Sequence, residues 1–454
     1  MFRCLFLLAT VLGGSMAVEA ATNEGAPVLV WRASKDRHDA AIPGWPVTRV
    51  LGRLARQTGW RVLVEPGVRS AVRVRFNGLP AREALPRLLG GLDFSLTSAS
   101  NGVTTLKVFR SAASAAREEV DAERDGIRED ELIVRLRRNA PGAAAEWARR
   151  LGGELVGTNG TAMRLKFDSV AEASAAKSVL ESDSEVASVE NNLDLFPPEV
   201  PVPASDALPA PLSLQPTVNP DGSRRVIALV DSAVQPLGAE YQAFLLPAVE
   251  IVPGAAPGAE PTHGTSMAEA ILRGLGAGSS DGQSTTRVRS YDVYGPNAST
   301  TTWDVAVAVT RAVQDGATIV NLSLGSGQDS PYLRDVLSSV TSQGALVVAA
   351  AGNDASAEAF YPAAYDSALA VTSSTGGNRL ASFANFGGFV DVAAPGATTV
   401  SLSGNTWRVQ GTSVSAAYVS GVAGALGRNP STSLLEVRQT LGTTFPVPAT
   451  SRAP

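Results

Sequence analysis

The sequence has one cysteine, two histidines and no long apolar run beyond its first twenty residues. Each shortage excludes something. Cys4 lies in an N-terminal stretch with Arg3, the short apolar run Leu5–Leu12 and then small residues. That stretch reads as a secretory signal, residues 1–20, with Val18-Glu19-Ala20 before a cut at Ala21. Cys4 is too early to be the cysteine that ends a lipoprotein signal. With the signal removed, the chain has no thiol, no disulfide and no cysteine metal site. No later stretch is long and apolar enough to span a bilayer. Charge of one sign is also missing: 38 basic and 43 acidic residues leave −5 over 454 residues. Neither nucleic acid nor an anionic membrane is called for as a partner. What remains is an ordinary globular composition, 44% hydrophobic and 18% charged, in a chain long enough for several domains.

Residues 26–110 read as one small α+β module. Val47–Thr58 carries Val50, Leu51 and Leu54 at helical spacing, and "WRVLVEP" and "AVRVRF" read as strands. "LPAREALPRLLGGL" is a helix opened by Pro80 and stopped by Gly90-Gly91, and "FSLTSASNGVTTLKVF" is a hairpin turning at Asn101-Gly102. Residues 113–129 are polar and read as a linker. Residues 130–196 form a second α+β module, with strands "ELIVRLR", "AMRLKF" and "VASVENNL" and helices "GAAAEWARRLGG" and "SVAEASAAKSVLES". Eight prolines then lie between Pro197 and Pro220, so residues 197–222 are an extended, cleavable linker. From there to about residue 445, strands such as "RRVIALVD", "ATIVNLSLG" and "ALVVAAAGN" alternate with helices such as "WDVAVAVTRAVQDG" and "LRDVLSSVTSQG". Alternation of this kind implies an α/β unit with a mostly parallel sheet.

Three residues of this last unit need one another. Asp231 ends the apolar strand "VIALV", where a lone buried carboxylate would be costly. His263, in "PTHGTSMAEAILRGL", is the only histidine outside the first module, so any histidine general base must be this one. Ser413 opens "SVSAAYVSGVAGAL", a helix of small residues. An aspartate after a strand, a histidine at a helix start and a serine at a helix start each have a structural reading, as cap or turn residues. The helix start offers another use, because its unpaired N–H groups favour negative charge beside Ser413. Small residues would let such a helix be buried centrally. Asn353, at the end of "VVAAAGN", could donate a second hydrogen bond to the same charge.

The stretches "VIALVDSAV", "THGTSMAEAI", "VNLSLG", "AAAGN", "YPAAYD" and "GTSVSAAYVSGVAGAL" resemble, in this order, the motif set of subtilisin-like serine proteases. Asp…His…Ser is that family's order, and the G-x-S-x-G elbow of α/β-hydrolases is missing because position 415 is Ser. The resemblance implies an α/β three-layer sandwich preceded by the two small α+β modules. It implies Ser413 as nucleophile, His263 as general base, Asp231 as the group that orients the imidazole, and Asn353 with the Ser413 N–H as oxyanion hole. Ser323-Leu324-Gly325 would be the edge where an extended protein or peptide substrate adds as a strand. Phe360, just before the "YP" pair, falls at the floor of the pocket for the side chain preceding the cut bond. Two placements of Phe360 are open: a ring that fills the pocket, or one turned into the core beneath. Residues 130–196 resemble the family's propeptide.

The aspartate motif has Ala233 where glycine is usual, and the histidine helix has Ser266 and Glu269 where a second histidine and a glycine are common. Between Gly274 and Arg287 only Asp281 supplies a carboxylate, whereas calcium takes several oxygen ligands. No calcium set is legible there, and no other cofactor is called for. Residues 26–110 resemble the small N-terminal module of secretins and TonB-dependent transducers. That implies a cell-envelope setting, periplasmic or extracellular, and a protein partner for the module. The reading from another class is a catalytically silent scaffold on the protease fold.

Overall fold

The computed structural model describes residues 28–448 apart from 33–35, 66–67, 69–70, 99–102, 121–125, 139–141, 197–201, 204–211, 213, 257, 298, 377–378 and 430–431. The signal 1–20, the Asn101-Gly102 turn and most of the Pro-rich linker lie outside the described residues.

The first module is built on two sheets. Val28–Arg32, Arg37–Pro46 and Ala71–Leu79 form one, and Asp93–Ser98, Thr104–Phe109, Arg61–Val64 and Glu118–Glu119 the other. Helices Val47–Thr58 and Ala81–Leu89 send Val50, Leu51, Leu54, Leu85 and Leu88 into a core shared with Leu106 and Val108. Gly90 ends the second helix at φ 57°, a left-handed conformation that glycine adopts without a Cβ penalty. His38 belongs to this core, stacked on Trp31 with ring centroids 3.7 Å apart. The linker expected over 113–129 is partly structured. Glu118–Glu119 pairs with Arg61–Val64, Ala116 is buried, and the next strand starts at Ile127. Backbone pairing along a sheet edge needs no apolar side chains, which is why a polar stretch could take it.

In the second module the sheet order is Val186–Leu195, Ile127–Leu136, Ala162–Lys166, Glu154–Asn159, with helices Ala144–Leu151 and Val170–Glu181 on one face. The strand Glu154–Asn159 has little apolar content and escapes a pattern reading. The module does not stand apart. Its other face places Ile133, Ala162 and Leu195 in one cluster with Trp303 and Tyr332, two rings stacked at 5.6 Å. Those rings sit at the starts of helices Thr302–Gln314 and Pro331–Ser342. The module's last strand supplies partners for both helix starts. Asn192 Oδ1 accepts from Trp303 N and Thr302 Oγ1, and Glu190 accepts from Tyr332 N and Ser330 Oγ. Helix N-termini carry unpaired N–H groups and a partial positive charge, so a carboxylate and an amide oxygen suit them. Arg164 bonds Glu131 within the module and Asp304 across the boundary, and Arg135 reaches Asp335.

From Val226 onward the chain forms a helix–sheet–helix sandwich. The strands run in the order Val249–Glu250, Arg287–Asp292, Val226–Asp231, Ile319–Leu322, Leu346–Ala350 and Ala368–Gly376, each parallel to the next. Alternation along one strand supplies both faces. Ile227 and Leu229 pack with helices His263–Gly278 and Thr412–Leu426, while Ala228 and Val230 pack with Thr302–Gln314 and Pro331–Ser342.

The first two helices cross with their backbones in contact. A Cβ on Gly274 would lie 2.0 Å from Tyr418 O, and one on Gly421 would lie 2.0 Å from Ile271 O. Gly421→Ala should therefore force the helices apart, at a cost of about 1–3 kcal/mol or more. The expected readout is a Tm lowered by at least about 2 °C for the full chain carrying Ser413→Ala. An unchanged Tm would mean that the crossing is not tight.

Docking of the second module should also depend on pH. Burial pushes Glu190 above its usual carboxylate value, and the Ser330 and Tyr332 donors only partly offset it. For such a group the stabilisation is fully present below the ordinary carboxyl value and is lost as pH rises through the raised one. The Tm of the Ser413→Ala chain should thus fall between about pH 4.5 and about pH 8 by more than that of its Glu190→Gln derivative. Equal falls in the two proteins would rule Glu190 out as the group responsible.

Candidate active site

The residues singled out in the third part collect along the carboxyl edge of three neighbouring strands. Asp231 ends Val226–Asp231, Ser323-Leu324-Gly325 follows Ile319–Leu322, and Asn353 follows Leu346–Ala350. In an open parallel sheet that edge is where a crevice forms.

Asp231 is 1% exposed, and its carboxylate is fully occupied. Oδ1 accepts from Ser232 N at 2.7 Å and pairs with His263 Nδ1 at 2.8 Å; Oδ2 lies 3.0 Å from the same nitrogen. His263 is the first residue of its helix, behind the cap Thr262, whose Oγ1 accepts from Thr265 N. Gly264 makes the approach possible, since a Cβ there would stand 2.0 Å from Ser232 O. The other ring nitrogen, His263 Nε2, is buried and carries no hydrogen bond. Behind Asp231 the neighbouring strand places Asp292 in register with it. Burial raises Asp292, with the Asp231 charge adding to the effect, and Tyr294 is raised well above the usual tyrosine range by burial and both carboxylates.

Ser413 is the second residue of its helix rather than the cap, which is Gly411. It is 2% exposed. Its Oγ donates to Ser323 O at 3.4 Å, and its own carbonyl accepts from Ser323 Oγ at 3.1 Å. Asn353 is oriented from the same helix: its Oδ1 accepts from both Thr412 N and Thr412 Oγ1 at 2.9 Å. With the oxygen so held, the amide nitrogen is turned away from Thr412 as a donor. Thr412 Oγ1 also accepts from Gly352 N at 3.1 Å. Thr412 went unnoticed in the sequence, although a buried threonine beside the serine in "GTS" was a usable signal. The helix's two other serines are structural: Ser415 donates to Ala394 O and Ser420 to Asn321 Oδ1.

Phe360 is half-buried, with its ring between two glycines. A Cβ on Gly325 would lie 2.5 Å from the ring and one on Gly352 3.0 Å from it. The next residue, Tyr361, exchanges backbone hydrogen bonds with Ser326 at 2.7 and 2.9 Å. The ring therefore sits in the space between the Ser323–Gly325 and Gly352–Asn353 segments. Gly325 itself is engaged. Phe196, at the end of the second module, exchanges both backbone hydrogen bonds with it at 3.3 Å.

Among the described residues no group of three or more His, Cys, Asp or Glu is placed to hold a metal ion, and no helix is long and apolar enough to cross a membrane. Both oxygens of Asp281 are taken by Arg428 Nη1 at 2.8 Å. The residues there do not fit a calcium ion.

The subtilase family profile matches residues 222–453, half of the chain. Thermitase of Thermoactinomyces vulgaris is 33% identical over 216 residues, covering 45% of this chain and 76% of that protein. The thermophilic serine proteinase of Bacillus sp. (strain AK1) is 38% identical over 161 residues, 34% of this chain and 39% of that one. The chain spans 39% to 58% of the length of the first three curated relatives, among them subtilisin Savinase of Lederbergia lenta. Among solved structures, fervidolysin from Fervidobacterium pennivorans aligns at a TM-score of 0.55 and 17% identity, covering 70% of this chain and 57% of that one. At that identity the likeness concerns the fold alone.

Proposed function

Since the chain belongs to the subtilase family, we propose that it is a serine endopeptidase, exported and made as a precursor. One observation carries the reading: Asp231 holds His263 by Nδ1, leaving Nε2 buried and unbonded on the edge where Ser413 stands. An imidazole fixed in that tautomer is ready to accept a proton.

The reaction follows from these groups. Ser413 Oγ attacks the carbonyl carbon of the substrate while its proton passes to His263 Nε2. Asp231 stabilises the imidazolium. The oxyanion lies between the Asn353 side-chain amide and the Ser413 N–H at the helix start. When the C–N bond breaks, His263 returns the proton to the leaving amine. Water then attacks the acyl-enzyme by the same route and frees Ser413. Each oxyanion donor is worth about 2.7–4 kcal/mol in such chemistry. Ser413 currently donates to Ser323 O, so rotation about its Cα–Cβ bond is the move that engages His263.

The second module is read as an inhibitory propeptide. Its strand supplies the starts of two helices, and its tail pairs with Gly325 where a substrate strand would lie. Residues 26–110, with their own core, are read as a protein-contact module of the cell envelope. A catalytically silent scaffold would keep the Ser413–Ser323 bond and never use His263.

A fluorophosphonate probe separates these readings. The processed chain should be labelled at Ser413, and labelling should vanish in Ser413→Ala. Processing within 197–222 should likewise occur in the purified wild type and be absent from Ser413→Ala by intact mass. Identical trimming of both proteins would exclude self-cleavage.

With the Phe360 ring between Gly325 and Gly352, the pocket before the cut bond is shallow and should favour Ala, Ser or Val. Phe360→Gly should raise kcat/KM for Leu or Phe peptides by roughly tens of fold and change Ala peptides less, since each methylene is worth ~1–3 kcal/mol. A wild-type preference for Phe or Tyr in a peptide library would overturn this assignment.

A further inference from the structure

The chain is held by backbone pairing at Phe196 and again at Val202–Pro203. Phe196 is anchored on Gly325. Shortly afterwards Val202–Pro203 lies antiparallel on the strand Asn405–Gln410, with Val202 opposite Arg408 and Pro203 opposite Trp407. Ser413 is tied to the neighbourhood of each anchor. Its Oγ touches Ser323 O, two residues before Gly325, and its helix begins at Thr412, just after Gln410. The strand Asn405–Gln410 is paired on its other side with Ala397–Leu402, so Val202–Pro203 occupies the outer edge of a hairpin.

The pairing has one possible arrangement. Antiparallel partners alternate between pairs that exchange both hydrogen bonds and pairs that exchange none. Pro203 has no N–H to donate, so Val202 and Arg408 are the exchanging pair.

We propose that the outer edge of Asn405–Gln410 is a docking strand for chain on the leaving-group side of the cut bond. The chain's own Val202–Pro203 occupies it, before cutting and after. The inference rests on Ser413 acting as the nucleophile. A cut anywhere between Phe196 and Val202 leaves Val202–Pro203 attached to the catalytic unit. Its tether is short, because Leu214 is buried in the main core and Gln215–Pro216 pairs with Gln283–Ser284. Ten residues separate Pro203 from Leu214, and a connection that short holds the segment at an effective concentration on the order of mM. A pairing too weak to hold between separate molecules then persists within one. It competes with any substrate that continues past the cut and is indifferent to one that ends there. The processed enzyme is thus open on the acyl side and partly filled, by its own new N-terminal segment, on the other.

Val202→Pro removes the donor N–H and leaves the catalytic unit unaltered; Val202→Ala keeps the N–H and serves as the matched control. Processed wild type and both variants are assayed on two substrates identical before the cut. One is a peptidyl nitroanilide that ends at the cut, the other a peptide that continues several residues beyond it. The expected result is a KM for the long peptide lowered ~3–10-fold by Val202→Pro alone, with nitroanilide kinetics unchanged in all three. An unchanged long-peptide KM, or an equal gain on both substrates, overturns the docking edge. Fluorophosphonate labelling of Ser413 runs alongside. Absence of label overturns the serine-protease reading and this inference together, whereas normal label with an unchanged long-peptide KM overturns this inference alone.

Discussion

Everything at the site depends on how closely two helices cross. The helix that starts at His263 and the helix that carries Ser413 touch backbone to backbone at Gly274 and Gly421, where no Cβ fits. An ordinary pair of helices packs 8–10 Å apart on side chains. Removing side chains at the crossing brings the axes closer and leaves both helix starts on the carboxyl edge of one sheet. The small residues of "SAAYVSGVAGAL" are therefore a geometric requirement of the site. They are a poor source of hydrophobic stabilisation, and the larger core residues Ile227, Leu229, Met267, Ile271, Leu272 and Leu275 provide that around them.

Close packing of small residues carries a second demand, because it buries polar groups. Thr412, Ser415 and Ser420 are fully buried, and each hydroxyl finds a partner: Asn353 or Gly352 for Thr412, Ala394 O for Ser415, Asn321 for Ser420. A buried hydroxyl without a partner costs about 1–3 kcal/mol, so these bonds specify one register of the helix against the strands. Asn353 gains its orientation from the same economy of partners. His263 Nε2 is the exception at the site, buried and unbonded, and it is the atom that the proposed chemistry needs free.

The second module uses the physics of helix ends in the opposite sense. At Ser413 the proposed chemistry uses a helix start for a transient negative charge. At Thr302–Gln314 and Pro331–Ser342 the helix starts are filled by Asn192 and Glu190 of the same chain. That contact, with the stacked Trp303 and Tyr332 rings beneath it, aims the tail so that Phe196 meets Gly325. A single chain thus carries the candidate site and, in Phe196, a residue paired with Gly325 beside it.

The α/β character of the third part, its strands Val226–Asp231, Ile319–Leu322 and Leu346–Ala350 and its helices Thr302–Gln314 and Pro331–Ser342 were legible from residue pattern. The pattern also singled out Asp231, His263 and Ser413 as candidates, whereas the hairpin of Ala397–Leu402 and Asn405–Gln410 and the helix Leu434–Thr444 were not read. Apolar runs ending in one polar residue, and a histidine present once in half the chain, are local signals. The helices Val47–Thr58 and Ala81–Leu89 were legible for the same reason, since helical periodicity and a terminating glycine act over a few residues. Strands with little apolar content, such as Glu154–Asn159 and Glu118–Glu119, were not, because they are held by backbone pairing to partners distant in sequence. The role of Thr412 in holding Asn353, the seat of the Phe360 ring between Gly325 and Gly352, the placement of Glu190 at a helix start and the two anchors of the linker were decided only by tertiary structure. Each joins residues tens to hundreds of positions apart. Composition and periodicity report what a segment can bury, but only the folded chain determines which groups meet.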